Sequence, residues 1–266
     1  MLRYFHVDAF AQMPFAGNPA GVCPLDAPLP AALMQQIAAE NSLAETAFFV
    51  PRAGTTNEFD LRWFTPAVEI DLCGHATLAA AHVLFTHLGF AGAQVVFHSQ
   101  SGPLRVAREA SGRLVLDFPS RPPQPLAELP AGLAAALGGK PQAALAARDL
   151  VAVFASEAEV AALQPDMAAI AAFDYVGIIA TAPGSGGIDF VSRFFAPRVG
   201  VPEDPVTGSA HNSLIPFWAD KLGKTELRAR QISPRGGDLW CRLRGDRVDI
   251  GGYAVTYAAG ELHVAP

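Results

Sequence analysis

An internal repeat constrains the fold of this chain more than any other feature of its sequence. Gly74 and Gly208 lie 134 residues apart (208 − 74), and Gly89 and Gly223 have the same separation. After Gly74, apolar residues recur at three- and four-residue steps, which predicts an amphipathic helix that Gly89 caps. The second pair of glycines encloses a helix of the same length. One half of this 266-residue chain therefore duplicates the other.

The repeat continues upstream of both helices. Residues 62–66 (RWFTP) match residues 193–197 (RFFAP) with an offset of 131 (197 − 66), so three additional residues precede the second helix. Asp204 lies within this insertion. Strand-like segments outnumber helices in both halves, which predicts an α+β fold with two pseudo-symmetric domains. Each domain is expected to be a curved, mostly antiparallel sheet wrapped around its central helix.

A proline-rich segment, RPPQP at residues 121–125, lies near the middle of the chain. Segments of this composition are stiff and commonly act as spacers between domains. We therefore predict a first repeat domain at residues 1–121 and a second repeat domain at residues 122–266.

Composition and charge exclude several classes of function. The net charge is −6 and no basic cluster occurs, so neither nucleic acid nor an anionic membrane surface is an expected partner. No apolar run approaches the ~20 residues of a membrane span, and no secretory signal is evident, which predicts a cytoplasmic protein. The three cysteines form no zinc-binding pair, and no glycine-rich phosphate-binding motif occurs, so we expect neither a metal nor a cofactor.

The N-termini of the two repeated helices are candidate anion sites. The first N–H groups of a helix lack partners within it and carry the positive end of its dipole, which favours a carboxylate or a phosphate. Equivalent residues occupy both positions. These are Cys73, Gly74 and His75 in the first half, and Thr207, Gly208 and Ser209 in the second.

Glu45 is the candidate acid/base. Its neighbours are mostly alanine, leucine and phenylalanine, and an apolar setting favours a protonated carboxyl that can exchange protons near neutral pH. The alternative is an ordinary surface or capping glutamate. Asp204 either caps the second helix or hydrogen-bonds a ligand or His75. Asn18, between Gly17 and Pro19, either contacts a ligand or forms a turn.

Cys73 offers a different chemistry. A thiol at a helix N-terminus has a lowered pKa and acts as a base or a nucleophile. The equivalent residue in the second half is Thr207, however, so a mechanism with two opposed thiols is not available to this chain.

At these residues the sequence resembles the phenazine-biosynthesis PhzF-like family, within the diaminopimelate-epimerase-like fold. The matching segments follow the family order over most of the chain: residues 8–10, 17–19, 41–46, 64–66, 73–78 and 203–210. The resemblance implies two similar domains with the active site in the cleft between them, and it allows the last strand to cross back to the first domain. It also implies a homodimer that needs neither a metal nor an organic cofactor.

The resemblance further implies roles for individual residues. Glu45 is the proton-shuttling acid/base, with His75, Asp204 and Ser209 as its polar partners. Gly74 and Gly208 offer backbone N–H groups to a substrate carboxylate, and we expect Asn18, Cys73 and Thr207 to contact the same small carboxylated metabolite.

The leading hypothesis is therefore a cofactor-independent isomerase that moves a proton by means of Glu45. Two alternatives stay open. One is an amino-acid or imino-acid epimerase or racemase that uses Cys73 as one base. The other is a non-catalytic module that binds a small molecule.

Overall fold

The computed structural model describes residues 1–264, and the chain divides into two compact units. Unit 1 contains residues 1–117 together with the chain from residue 251 onward, and unit 2 contains residues 118–250. The division falls just before the proline-rich segment at which the sequence predicts a boundary. Among the described residues, no helix combines the length and the apolar character that crossing a bilayer requires.

Unit 1 is a mixed sheet built around one long helix. In chain order its elements are β1 (Leu2–Ala9), β2 (Asn18–Pro24), α1 (Ala31–Asn41), β3 (Glu45–Pro51), β4 (Glu58–Phe64), β5 (Glu69–Ile70), α2 (Gly74–His87), β6 (Gln94–Ser99), β7 (Gly102–Arg108) and β8 (Leu114–Pro119), which runs on into unit 2. Strand β2 runs parallel to β3, and β4 runs parallel to β6. The β1–β2, β3–β4, β4–β5, β6–β7 and β7–β8 pairs are antiparallel.

Unit 2 repeats this order. Its elements are β9 (Gln124–Pro125), α3 (Leu133–Leu137), β10 (Ala143–Ala146), β11 (Leu150–Val153), α4 (Glu157–Ala161), α5 (Met167–Ala171), β12 (Ile178–Pro183), β13 (Phe190–Ala196), a 3₁₀ turn at Pro197–Val199, β14 (Val201–Asp204), α6 (Gly208–Leu222), β15 (Glu226–Gln231), β16 (Gly237–Arg244) and β17 (Arg247–Gly252). The pairs β11–β12 and β13–β15 are parallel, whereas β10–β11, β12–β13, β13–β14 and β15–β16 are antiparallel. Each of these pairings has its counterpart in unit 1, which confirms the α+β fold with a repeated unit.

The final strand, β18 (Ala254–Leu262), pairs antiparallel with β1 along its whole length, from Leu2 opposite Leu262 to Ala9 opposite Ala254. In unit 2, β9 occupies the corresponding position beside β10. The strand that follows the first repeat therefore belongs to the sheet of the second, and the strand that ends the second repeat belongs to the sheet of the first.

Both central helices begin at the glycines that the repeat identifies. Helix α2 starts at Gly74 and α6 starts at Gly208, and the left-handed residues Gly89 and Gly223 follow their C-termini. The expectation that α2 is amphipathic is wrong, because all its residues from Gly74 to Phe85 except His82 are buried. A helix that is apolar on all sides is enclosed by its surroundings. Its alanines supply the small side chains that let the sheet approach on several sides.

The repeat also preserves an ion pair ahead of each helix. Arg62 on β4 donates two hydrogen bonds of 2.7 Å to Glu69 on β5. In unit 2, Arg193 on β13 donates bonds of 2.7 and 2.9 Å to Glu203 on β14. Two-point guanidinium–carboxylate bonds fix geometry as well as distance. The short strand that leads into each helix N-terminus is therefore held in the same way in both units.

Candidate active site

Glu45 and His75 form a buried pair in unit 1. Glu45 is the first residue of β3 and His75 is the second residue of α2, with relative exposures of 9% and 4%. The chain reaches β3 from α1 through Ser42, which adopts a left-handed conformation with φ of 51°. Glu45 Oε2 lies 3.0 Å from His75 Nε2, so sheet and helix bring together two titratable groups 30 residues apart in sequence (75 − 45).

The contact between Glu45 and His75 has the distance of an ion pair but not the alignment of a hydrogen bond. Among the described residues, neither Glu45 Oε2 nor His75 Nε2 has a hydrogen-bond partner. Buried polar atoms in folded proteins are nearly always paired, and an unpaired one is costly. Glu45 therefore keeps a carboxylate oxygen with spare capacity to accept a proton.

Asn18 contacts the ring of His75 at the nitrogen remote from Glu45. Its Nδ2 lies 3.1 Å from His75 Nδ1, and an amide nitrogen only donates hydrogen bonds. In the neutral ring, His75 Nδ1 is therefore the acceptor, and the ring proton is on Nε2, which faces Glu45. Asn18 is fully buried at the first residue of β2, so it holds the ring from the side opposite the carboxylate.

The surroundings of His75 raise its pKa. Burial lowers the pKa of His75, but the charges of Cys73 and Glu45 raise it to well above its usual value. Because burial keeps the thiol of Cys73 neutral near pH 7, the carboxylate of Glu45 is the charge that raises the pKa of His75 at that pH. A raised pKa favours the imidazolium form, in which both ring nitrogens carry protons, so Nε2 holds a proton beside Glu45 in the neutral and in the charged ring alike.

The expectation that the helix N-terminus lowers the pKa of Cys73 is wrong. Burial and, to a smaller extent, the nearby Glu45 carboxylate raise the pKa of this thiol to about 11, although His75 lowers it. The helix N-terminus does not offset this loss of solvation. Cys73 Sγ lies 3.5 Å from His75 Nδ1, and near neutral pH it is an un-ionised thiol that packs against the ring.

Glu45, Cys73 and His75 also form the kind of group that binds metal ions, because their ligand atoms lie within 4.8 Å of one another. The arrangement does not suit an ion. Glu45 faces Nε2 of His75 and Cys73 faces Nδ1, whereas one metal ion binds one ring nitrogen. The imidazole thus stands between the other two ligands, a geometry that favours proton transfer over coordination.

In unit 2, the other candidate residues gather at the N-terminus of α6. Asp204 ends β14, Thr207 immediately precedes the helix, and Gly208 and Ser209 begin it. The Thr207 hydroxyl donates a hydrogen bond of 2.5 Å to Asp204 Oδ2 and does not cap the helix. It also accepts a bond of 3.2 Å from Gln231 Nε2, so both of its hydrogen-bonding roles are in use.

The sequence did not identify His211, in α6, as a candidate site residue. It is fully buried, and its Nδ1–H donates a 2.8 Å hydrogen bond to the Thr207 carbonyl one turn earlier. Its Nε2 has no partner among the described residues. The spacing of Ser209 and His211 on one helix does not give a nucleophile–base pair, and a bond between a side chain and a backbone carbonyl leaves no pattern in the sequence.

We expect His211 to make the stability of the protein depend on pH. Burial lowers its pKa to about 4, from 6.5, although its bond to Thr207 raises it. As the pH falls below 6.5, the unfolded chain takes up a proton that the folded state refuses, so the free energy of unfolding falls until about pH 4. The contribution of His211 amounts to roughly 2 kcal/mol between pH 7 and pH 5.

Urea denaturation of the wild type and of His211→Gln at several pH values tests this expectation. The pH dependence of the variant should be shallower, although its stability at pH 7.5 is lower. The exposed His263 provides a matched control, because His263→Gln should keep the wild-type slope. His82, whose burial also lowers its pKa to about 4, leaves a residual slope in both variants. Equal slopes for wild type and His211→Gln would contradict the assignment.

Comparisons with known proteins agree with this architecture. The model of the PhzC-PhzF family, described as phenazine biosynthesis-like protein, matches residues 7–260. An uncharacterized isomerase of Pseudomonas aeruginosa is 53% identical over 99% of this chain and 99% of its own length. The crystal structure of a PhzF family protein from Enterococcus faecalis has 49% identity and a TM-score of 0.95, covering 99% of both chains. A predicted epimerase of Pseudomonas aeruginosa shares the fold at 21% identity, with a TM-score of 0.77 and full coverage of both chains (100%).

Proposed function

Because this chain belongs to the phenazine biosynthesis-like PhzC-PhzF family, we propose that it is a cofactor-independent isomerase. It moves a proton between two carbons of a small carboxylate-bearing metabolite, and Glu45 carries that proton. The observation that supports this most directly is the buried Glu45 Oε2, 3.0 Å from the protonated Nε2 of His75 and without a hydrogen-bond partner among the described residues.

A single carboxyl group can carry out both halves of such a reaction. As a carboxylate, Glu45 takes a proton from one carbon of the substrate, and as a carboxylic acid it returns that proton to another carbon. The bonding electrons stay within the substrate, so the step is redox-neutral. The Nε2–H of His75 stabilises the ionised form of Glu45 before the proton is taken, and Asn18 keeps that hydrogen on the correct side of the ring.

Two uncapped helices suit the carboxylate of the substrate. Neither α2 nor α6 has a side-chain cap at its N-terminus, and neither has an acidic residue in its first turn. The N–H groups of Gly74 and Gly208 therefore have no side-chain cap, and an anion could accept hydrogen bonds from them. We propose that Cys73 and Thr207 contact the same substrate and that Asp204 and Ser209 are polar partners of the reaction. The resemblance and the repeat support these assignments.

The alternative of an epimerase or racemase that uses Cys73 has less support. Such chemistry needs a thiolate near neutral pH, whereas burial raises the pKa of Cys73 to about 11. The equivalent position holds Thr207, whose hydroxyl hydrogen already bonds Asp204. Neither group is prepared to act as a base.

Cys73→Ala separates the two mechanisms. We expect this variant to retain proton exchange within a few-fold of the wild type, because the thiol contributes packing against His75 and no proton. The readout is incorporation of solvent deuterium into the substrate, followed by NMR. Cys73→Ser, which preserves the approximate size of the side chain, controls for movement of the imidazole. Loss of exchange in both variants would favour the thiol mechanism.

Metabolite screening tests the proposed activity itself. Carboxylated metabolites that raise the melting temperature are incubated with the protein in deuterium oxide, and deuterium on carbon is sought by NMR. Binding without exchange for every ligand would support the non-catalytic alternative. A homodimer and a cytoplasmic location belong to the same proposal, and light scattering and cell fractionation test them.

A further inference from the structure

Gln231 makes an unusual set of hydrogen bonds at the N-terminus of α6. It is the last residue of β15 and is fully buried. Its Oε1 accepts a bond of 2.9 Å from the Thr207 N–H. Its Nε2 donates bonds of 2.7 Å to the Asp204 carbonyl and 3.2 Å to Thr207 Oγ1. One side chain thus holds both ends of the segment Asp204–Thr207.

These bonds also fix the direction of the Thr207 hydroxyl. The amide of Gln231 can only donate at Nε2, so Thr207 Oγ1 accepts there. The single hydroxyl hydrogen of Thr207 is thereby left for Asp204 Oδ2, at 2.5 Å. The sequence of donors and acceptors runs in one direction from Gln231 through Thr207 to the carboxylate of Asp204.

The equivalent residue in unit 1 has no such role. Gln231 pairs with Gly237 at the end of β15, as Ser99 pairs with Gly102 at the end of β6. The Ser99 hydroxyl bonds the Gly102 carbonyl within its own hairpin, at 2.9 Å. Both units have the same strand pairings, so the fold does not require a glutamine at this position. The glutamine occurs in the unit that contains the three-residue insertion with Asp204.

We propose that Gln231 is a positioning residue for the reaction. It holds the Asp204 carboxylate and the first N–H groups of α6 in the one arrangement that serves the substrate. This inference rests on the proposed isomerase function, and it adds a residue that touches neither substrate nor reacting atoms. Positioning of this kind affects turnover because a displacement of about 1 Å at a catalytic group can cost 100-fold in rate.

The first test uses Gln231→Leu, which keeps the approximate size of the side chain and removes all three bonds. We expect amide hydrogen exchange at Thr207 to be at least about tenfold faster, while core amides of α6 stay protected, and turnover to fall about tenfold or more. Gln35→Leu is the matched control, because it removes a 2.8 Å glutamine–carbonyl bond in unit 1 and should leave turnover near that of the wild type.

The second test uses Gln231→Glu and its pH profile, a readout that a merely structural role would not change. A protonated glutamic acid reproduces part of the glutamine pattern: its carbonyl accepts from the Thr207 N–H, and its one hydroxyl hydrogen replaces one of the two bonds that Nε2 donates. An ionised glutamate cannot donate. Relative to the wild type, turnover of this variant should be highest at low pH and fall as the introduced carboxyl ionises. This variant also covers the case in which Gln231→Leu does not fold.

The outcomes separate the inference from the proposed function. Unchanged protection of the Thr207 amide in Gln231→Leu, or fast exchange with wild-type turnover, would overturn the positioning role. A wild-type pH profile for Gln231→Glu would do the same. Absence of turnover in the wild type, on every metabolite that binds, would overturn the isomerase proposal whatever the Gln231 variants show.

Discussion

Replacing Glu45 with glutamine should abolish proton exchange while leaving ligand binding largely intact. Glutamine has nearly the same shape, but its amide cannot take a proton from carbon and return it. General acid–base groups contribute about 10²–10⁴-fold to rate, and Glu45 is proposed to act as both acid and base. The expected loss therefore lies at the upper end of that range. Solvent-deuterium incorporation measures exchange, and ligand-induced thermal shift measures binding.

Glu40→Gln is the matched control for this experiment. Glu40 is exposed on α1, five residues before Glu45, so the same chemical change there should leave exchange unaltered. Full exchange activity in Glu45→Gln would contradict the single-carboxylate mechanism. Loss of both exchange and binding would instead indicate that Glu45 is needed to hold the ligand.

The second prediction is a large loss of stability when Gly17, next to Asn18, is replaced with alanine. Gly17 has a φ of +67°, and a Cβ on it would lie 2.1 Å from the Ala9 carbonyl oxygen and 2.9 Å from the Ala11 side chain. The left-handed conformation destabilises a residue with a Cβ by roughly 1–2 kcal/mol. The backbone and side-chain shifts that make room for the Cβ destabilise the protein by a further ~1–3 kcal/mol. We therefore expect Gly17→Ala to destabilise the protein by about 2–5 kcal/mol.

Gly89 separates the two contributions. It has the same φ of +67°, but a Cβ there would meet nothing within 4 Å. Gly89→Ala should thus show the conformational cost alone, and urea denaturation of both variants gives the difference. Since Gly17 leads directly into Asn18, which holds His75, Gly17→Ala should also lower proton exchange. Equal destabilisation by the two variants would show that the contact with Ala9 contributes nothing.

The sequence alone predicted the repeat, the family and the fold, and all three are confirmed. The reason is that these features are expressed locally. Glycines that begin and follow the two helices, and the matching segments ahead of them, depend on backbone conformations and contacts within a few residues. A duplicated pattern doubles that signal, so the starts of α2 at Gly74 and α6 at Gly208 could be predicted to the residue.

The site was predictable in its residue types but not in its chemistry. Asn18, Glu45, Cys73 and His75 do lie together in unit 1, yet their states depend on burial that the sequence does not express. The position of Cys73 at a helix N-terminus predicts a lowered pKa. Complete burial of the thiol raises the pKa instead. The reaction, its substrate and the part played by Asp204 and Ser209 stay predictions that the variants above test.

Tertiary structure decided the contacts between residues distant in the chain. Asn18 orients the ring of His75 across 57 residues, and Gln231 holds Thr207 across 24. Neither pair has a characteristic spacing, because each forms only where two strands and a helix N-terminus pack together. The sequence determined which elements form and where they begin. Packing alone determined which buried polar atoms face each other, and therefore which groups hold a proton.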